Sequence, residues 1–162
     1  MPIPVLSFGS IKTAKDVAIG NIFILPMEAE TVVAMMVGAS LVNEQPRIAI
    51  LSEPTKLKRF ELLNSAHYLS NTVELIEDAA FILSPQPNHI LAWRNQEQPG
   101  IIIRGANDSI SLGEGHLKKF IDLSTGLYVQ RPESDAPALA FTSWSLVRRV
   151  EENGKTVTIP HL

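Results

Sequence analysis

The chain contains no cysteine. That absence removes disulfide staples, thiolate metal ligands and a cysteine nucleophile together. Aromatic residues are scarce at 6%, and Trp93 and Trp144 are the only tryptophans. Charge of one sign is lacking as well: the net charge is -3. The small basic clusters Lys56, Lys58 and Arg59, Lys118 and Lys119, and Arg148 and Arg149 all have acids beside them. A nucleic-acid surface needs an unbalanced basic field to displace counterions, so no nucleic-acid partner is expected. No apolar run approaches the ~18 residues of a membrane span. The start, Met1-Pro2-Ile3-Pro4, has neither the basic lead nor the apolar stretch of a signal peptide. No membrane association is expected, and a cytoplasmic location is the default.

What is present describes a single globular domain over residues 1–162. Apolar residues make up 45% and charged ones 19%, the balance of a folded chain. A chain of this length buries roughly 70% of its unfolded surface and needs no metal or disulfide staple. The mean hydropathy of +0.11 is oily, which fits a thick core or a partner surface.

Eleven prolines punctuate runs rich in Val, Ile and Leu. Proline donates to no ladder and disfavours helix at the preceding residue, so the pattern reads as strands ended by turns. Strands are expected at Ala18–Leu25, Thr31–Val37, Arg47–Leu51, Val73–Leu83, His89–Arg94, Ile101–Arg104, Ser109–Leu112, Leu127–Gln130, Leu139–Val150 and Lys155–Ile159. The fold class is all-β or β-dominated: a barrel or two-sheet sandwich of about ten short strands with at most two short helices. The helical candidates carry Leu57, Phe60 and Leu63, and Leu117, Phe120, Ile121 and Ser124, and both segments also tolerate a strand reading. No internal repeat is visible.

Asn153-Gly154 suits a type I′ turn, pairing Glu152 with Lys155, Val150 with Val157 and Arg148 with Ile159. Trp144, Leu146, Val150, Val157 and Ile159 then share the core face. Arg148 falls on that face too, which calls for a bulge or an edge position. The run Val32–Val37 is apolar on both parities, so both of its faces must be covered. A strand suits it better than a helix over Met27–Val42, because it is β-branched and Gly38 interrupts it. With one face left for another copy of the chain, a homo-oligomer, specifically a dimer, is expected, with Val33, Met35 and Met36 at the interface. The competing explanation is a central strand covered by an internal segment such as Leu57–Leu63.

No catalytic constellation emerges. Gly113-Glu114-Gly115 lacks the further glycine or Gly-Lys-Ser/Thr ending of a phosphate loop, and Glu114 would repel phosphate. His67, His89, His116 and His161 are isolated, apart from Glu114 beside His116, and two ligands rarely make a metal site. No metal or cofactor is expected. A Gly-x-Ser-x-Gly elbow is absent. Glu77 and Asp78 would point to opposite strand faces, unlike the paired carboxylates of a glycosidase, and a β-bulge explains that break better.

Four residues remain as candidate ligand contacts. Trp93 sits among small and polar neighbours, whereas Trp144 belongs to the core. Arg94 and Arg104 lie at the ends of consecutive strands; if those strands pair, the two could grip one anion. Solvated strand ends are the commoner meaning of such charges. His116 completes the set. The function is not determined by the sequence. Its best reading is a non-enzymatic binding or assembly module that self-associates. The alternatives are an enzyme for an unknown small molecule, with an Arg/His-lined pocket, and a sugar-binding β domain using Trp93.

Overall fold

The structure is a computed structural model that describes residues 9–38, 45–53, 59–84, 89–90, 99–105, 107–112, 120–130, 139–149 and 156–158. In chain order the strands are β1 (Ile11–Thr13), β2 (Ile22–Pro26), β3 (Thr31–Val37), β4 (Arg47–Ile50), β5 (Leu62–Asn64), β6 (Thr72–Ile76), β7 (Ala79–Leu83) and β8 (His89–Ile90). They continue with β9 (Ile102–Arg104), β10 (Asp108–Ser111), β11 (Phe120–Asp122), β12 (Leu127–Val129), β13 (Leu139–Phe141), β14 (Trp144–Arg149) and β15 (Thr156–Thr158). Single 3-10 turns at Ala14–Asp16 and Ser65–His67 are the helical elements among the described residues. None of these is long or apolar enough to cross a membrane.

The strands form three antiparallel sheets and close no barrel among the described residues. The first has the order β1-β6-β2-β3-β4-β5, the second β12-β11-β10-β9-β13-β8, and the third β15-β14-β7. One face of the first sheet (Ile22, Ile24, Val33, Met35, Val37, Ala49, Leu51) packs on Ile102, Ile110, Leu112 and Ile121 of the second. Phe81, Leu83, Trp144 and Leu146 of the third sheet close that core. The opposite face of the first sheet carries Phe23, Leu25, Val32, Ala34, Met36, Ile48 and Ile50, covered in part by Ala14, Val17, Met27 and Tyr68. Each fully buried aliphatic side chain stabilises by roughly 1.5–3 kcal/mol, so this two-layer burial supplies the main driving force.

The pairing order is duplicated. Read from its β8 edge, the second sheet runs β8-β13-β9-β10-β11-β12, the same sequence of steps as β1-β6-β2-β3-β4-β5. Corresponding rungs can be followed across each sheet. In the first, Ile76, Ile22, Met35, Ala49 and Leu62 stand side by side. In the second, Phe141, Ile102, Ile110, Ile121 and Tyr128 do so.

The connections match too. Gly20 (φ 89) donates to Met36 at 2.7 Å, and Gly100 (φ 79) donates to Ser111 at 2.8 Å. Phe60 (φ 63) donates to Ile50 and Gly126 (φ 72) to Asp122, both at 2.8 Å. β7 and β14, which follow β6 and β13 in the two halves, pair with each other about the central pair Phe81–Leu146, flanked by Leu83–Trp144 and Ala79–Arg148. That register maps onto itself when the halves are exchanged, as a two-fold relation between them would require.

Several expectations need correction. Where described, the Leu57–Leu63 and Leu117–Ser124 segments hold no helix: each is part turn, at Arg59-Phe60 and Leu123-Ser124, and part strand, in β5 and β11. The break at Glu77-Asp78 is not a bulge. It is a turn, with Asp78 left-handed at φ 56, after which β7 leaves the first sheet to pair with β14. Leu139–Val150 is likewise two strands, parted at Thr142-Ser143. The final hairpin pairs Arg148 with Val157 and Arg149 with Thr156, two residues out of the register that Asn153-Gly154 would impose. Residues 150–155 themselves lie outside the described residues. Pairing of β14 is continuous through Arg148, which sits half-buried in the central strand of its sheet with neither bulge nor edge to accommodate it.

The two-sided β3 is as expected, but its cover comes from within the chain. Val33 and Met35 point into the core between the sheets and Met36 into the opposite one, at 3%, 3% and 2% exposure. These three side chains are core residues and present no surface to a second copy.

Candidate functional site

The β9–β10 hairpin builds one wall of a cleft. Its strands pair Arg104 with Asp108 across a three-residue connection. Opposite charges set face to face on paired strands attract one another, and Arg104 Nε lies 3.2 Å from a carboxylate oxygen of Asp108. Both side chains are substantially exposed, at 57% and 43%, so the pair adds at most about 1 kcal/mol to stability. The bridge engages Nε and leaves the two terminal amino groups of the guanidinium outside it.

The floor and opposite wall are apolar. Ile102, Leu123, Phe81 and Leu83 line a cavity of about 620 Å³, with Ile82 at 44% exposure on its lip. Gly105, Asn107 and Ser124 complete the lining. The segment carrying Ser124 is held from below, because Leu123 donates its N–H to the Asp108 carbonyl at 2.8 Å. Asp122, 7% exposed, accepts both the Ser124 hydroxyl at 2.5 Å and the Ser124 N–H at 2.9 Å. A serine becomes a nucleophile when a base can take its proton, as an imidazole does. No imidazole stands among the described lining residues, and Ser124 acts here as a strut.

A second constellation surrounds Trp144. Its indole meets Phe81 and Phe60 edge-on, at centroid distances of 5.1 and 6.0 Å, and donates Nε1–H to the Gly100 carbonyl at 2.7 Å. The Arg59 guanidinium lies 5.2 Å from the Trp144 ring centre and 4.8 Å from that of Phe60, while its Nε donates to the Leu51 carbonyl at 2.8 Å. Burial lowers the Arg59 pKa and the Glu53 carboxylate raises it in part. Arginine stays protonated throughout the physiological range. These contacts are a closed aromatic cluster rather than an open site.

Of the residues singled out in the sequence, Arg104 lies in the cleft. Trp93, Arg94 and His116, together with Gly113-Glu114-Gly115, lie outside the described residues. The strand beginning at His89 does not pair with β9: β13 separates them, with Leu139 opposite Ile90 on one side and Arg104 on the other. The condition under which Arg94 and Arg104 could have shared an anion, direct pairing of their strands, is therefore not met between β8 and β9. No group of three or more potential metal ligands occurs among the described residues. Asp108, Asn107 and Ser124 were not named as contacts. The legible signal was Arg104 and Asp108 bracketing Gly105-Ala106-Asn107, opposite charges across turn residues.

Comparison of the chain with protein-family models, with curated proteins and with solved structures finds no match. The site must be read from its own chemistry.

Proposed function

We propose that this protein is a non-enzymatic binding module whose cleft takes a small molecule with an anionic head and an apolar body. The observation that carries this reading is that an exposed Arg104 lines the same 620 Å³ cleft as Ile102, Leu123, Phe81 and Leu83. Ligand sites are typically concave, mostly apolar and fixed by a few polar groups, within a volume of roughly 300–1,000 Å³. Asp108 holds the guanidinium through Nε, so its terminal amino groups can grip a carboxylate or phosphate in the bidentate manner suited to arginine. The reading concerns a single chain, since both faces of β3 are covered within it.

The test is a thermal-shift and NMR titration with medium-chain fatty acids and aryl phosphates. Such ligands are expected to raise the melting temperature and to shift the amides of Arg104, Asp108 and Leu123. Arg104→Gln should weaken binding about tenfold or more, the loss of one charge-assisted contact. Anions that bind equally well to Arg104→Gln, or shift no amide of the cleft, would remove this reading.

A further inference from the structure

The duplicated pairing order relates the Trp144 cluster to a place in the first half where no tryptophan stands. Counted from the matched rungs Ile76 and Phe141, Ala79 takes the place of Trp144, three residues on in each half. The matching loops set Gly20 against Gly100, and the matching rungs set Ile22 against Ile102 and Ile76 against Phe141. Between those strands, the turn Glu77-Asp78 corresponds to Thr142-Ser143. Gly20, Ile22, Ile76, Glu77, Asp78 and Ala79 all line one cavity, of about 450 Å³.

We infer that this cavity is a second binding site and that it takes a cationic aromatic amine, an N–H-bearing ring on a short ammonium arm. Four features argue for that class. In the second half an indole is the group that the fold accepts beside the corresponding glycine, with its N–H on the Gly100 carbonyl. Gly20 has the same left-handed backbone and the same N–H bond to the neighbouring strand as Gly100. In the first half the bulk at this position is missing, because a methyl group, Ala79, replaces an indole. Finally, the neutral hydroxyl pair Thr142-Ser143 is exchanged for Glu77 and Asp78, both exposed at the cavity. Two carboxylates beside a cavity that Ile22, Ile76 and Ala79 line in part favour a ligand that is flat at one end and positive at the other. The same carboxylates repel the anions proposed for the Arg104 cleft, so the two sites differ in the sign of their ligands.

The probe is tryptamine, with indole-3-acetate as its anionic counterpart, titrated into the full chain and followed by amide shifts and calorimetry. Tryptamine is expected to saturate one site and to shift the amides of Gly20, Ile76 and Ala79. Asp78→Asn keeps a residue that tolerates the left-handed conformation, and with Glu77→Gln it should weaken tryptamine about tenfold. Ala79→Trp should fill the cavity and abolish binding. Should that variant misfold, the amide map of the unaltered chain decides instead. Shifts confined to the Arg104 cleft, no saturation by about 5 mM, or equal affinity for indole-3-acetate at the same amides would overturn the assignment. Failure here leaves the Arg104 reading standing, since that is read with anions on different amides.

Discussion

At the scale of single residues, Gly100 and Gly20 separate two costs that usually come together. Both have positive φ, which a β-carbon makes unfavourable by roughly 1–2 kcal/mol. At Gly100 an added Cβ would stand 2.2 Å from Phe60 Cε2, whereas at Gly20 the nearest atom is 3.8 Å away. Gly20→Ala should therefore cost about 1 kcal/mol, and Gly100→Ala at least 2 kcal/mol more, by overpacking against the ring. Urea denaturation of both variants checks this, and equal losses would mean that Phe60 yields freely. Phe60 is itself left-handed, an uncommon state for a bulky side chain. Its ring fills the space over Gly100 and beside Trp144, and that packing accounts for a phenylalanine where the other half uses Gly126.

At the scale of elements, β3 was the most legible piece of the chain. Its β-branched, doubly apolar run announced a strand buried on both faces, and both faces are buried. What covers them was not legible, because cover is a long-range property and the local pattern says only that it exists. Val33→Glu and Met36→Glu should consequently abolish the cooperative unfolding transition, since each places a carboxylate in a closed apolar layer at a cost of several kcal/mol. Circular dichroism and gel filtration read the outcome. A folded, soluble monomer from either variant would instead locate a surface there.

The helical readings failed for a related reason. Leu57, Phe60 and Leu63 have helical spacing, yet a left-handed turn at Phe60 separates the last of them into β5. Of the candidate site, Arg104 was legible as a charge at a strand end, but the apolar wall of Phe81 and Leu83 comes from a different sheet that no local pattern could bring beside it.

At the scale of the whole molecule, the duplication shows in the pairing and hardly at all in the sequence. Gly20 and Gly100 or Ile22 and Ile102 agree, but other matched positions hold unlike chemistry, as Phe60 and Gly126 or Ala79 and Trp144 do. The two halves share the core between the sheets and are stitched by β7 and β14. Cleaving the chain at a protease site inserted between Ser84 and His89 should thus leave both fragments in one particle. Their joint mass on gel filtration should persist in native buffer and be lost only in denaturant. Separation without denaturant would mean that the covalent connection, rather than the shared core, holds the halves together.

A pair of identical subunits in this arrangement would carry every substitution twice. Any change that improved one half would be imposed on the other, and the central Phe81–Leu146 contact would have to join two copies of one side chain. Joining the halves in one chain lifts that constraint. One half can commit its aromatic bulk to stability at Trp144 while the other keeps a small residue, Ala79, in the corresponding place.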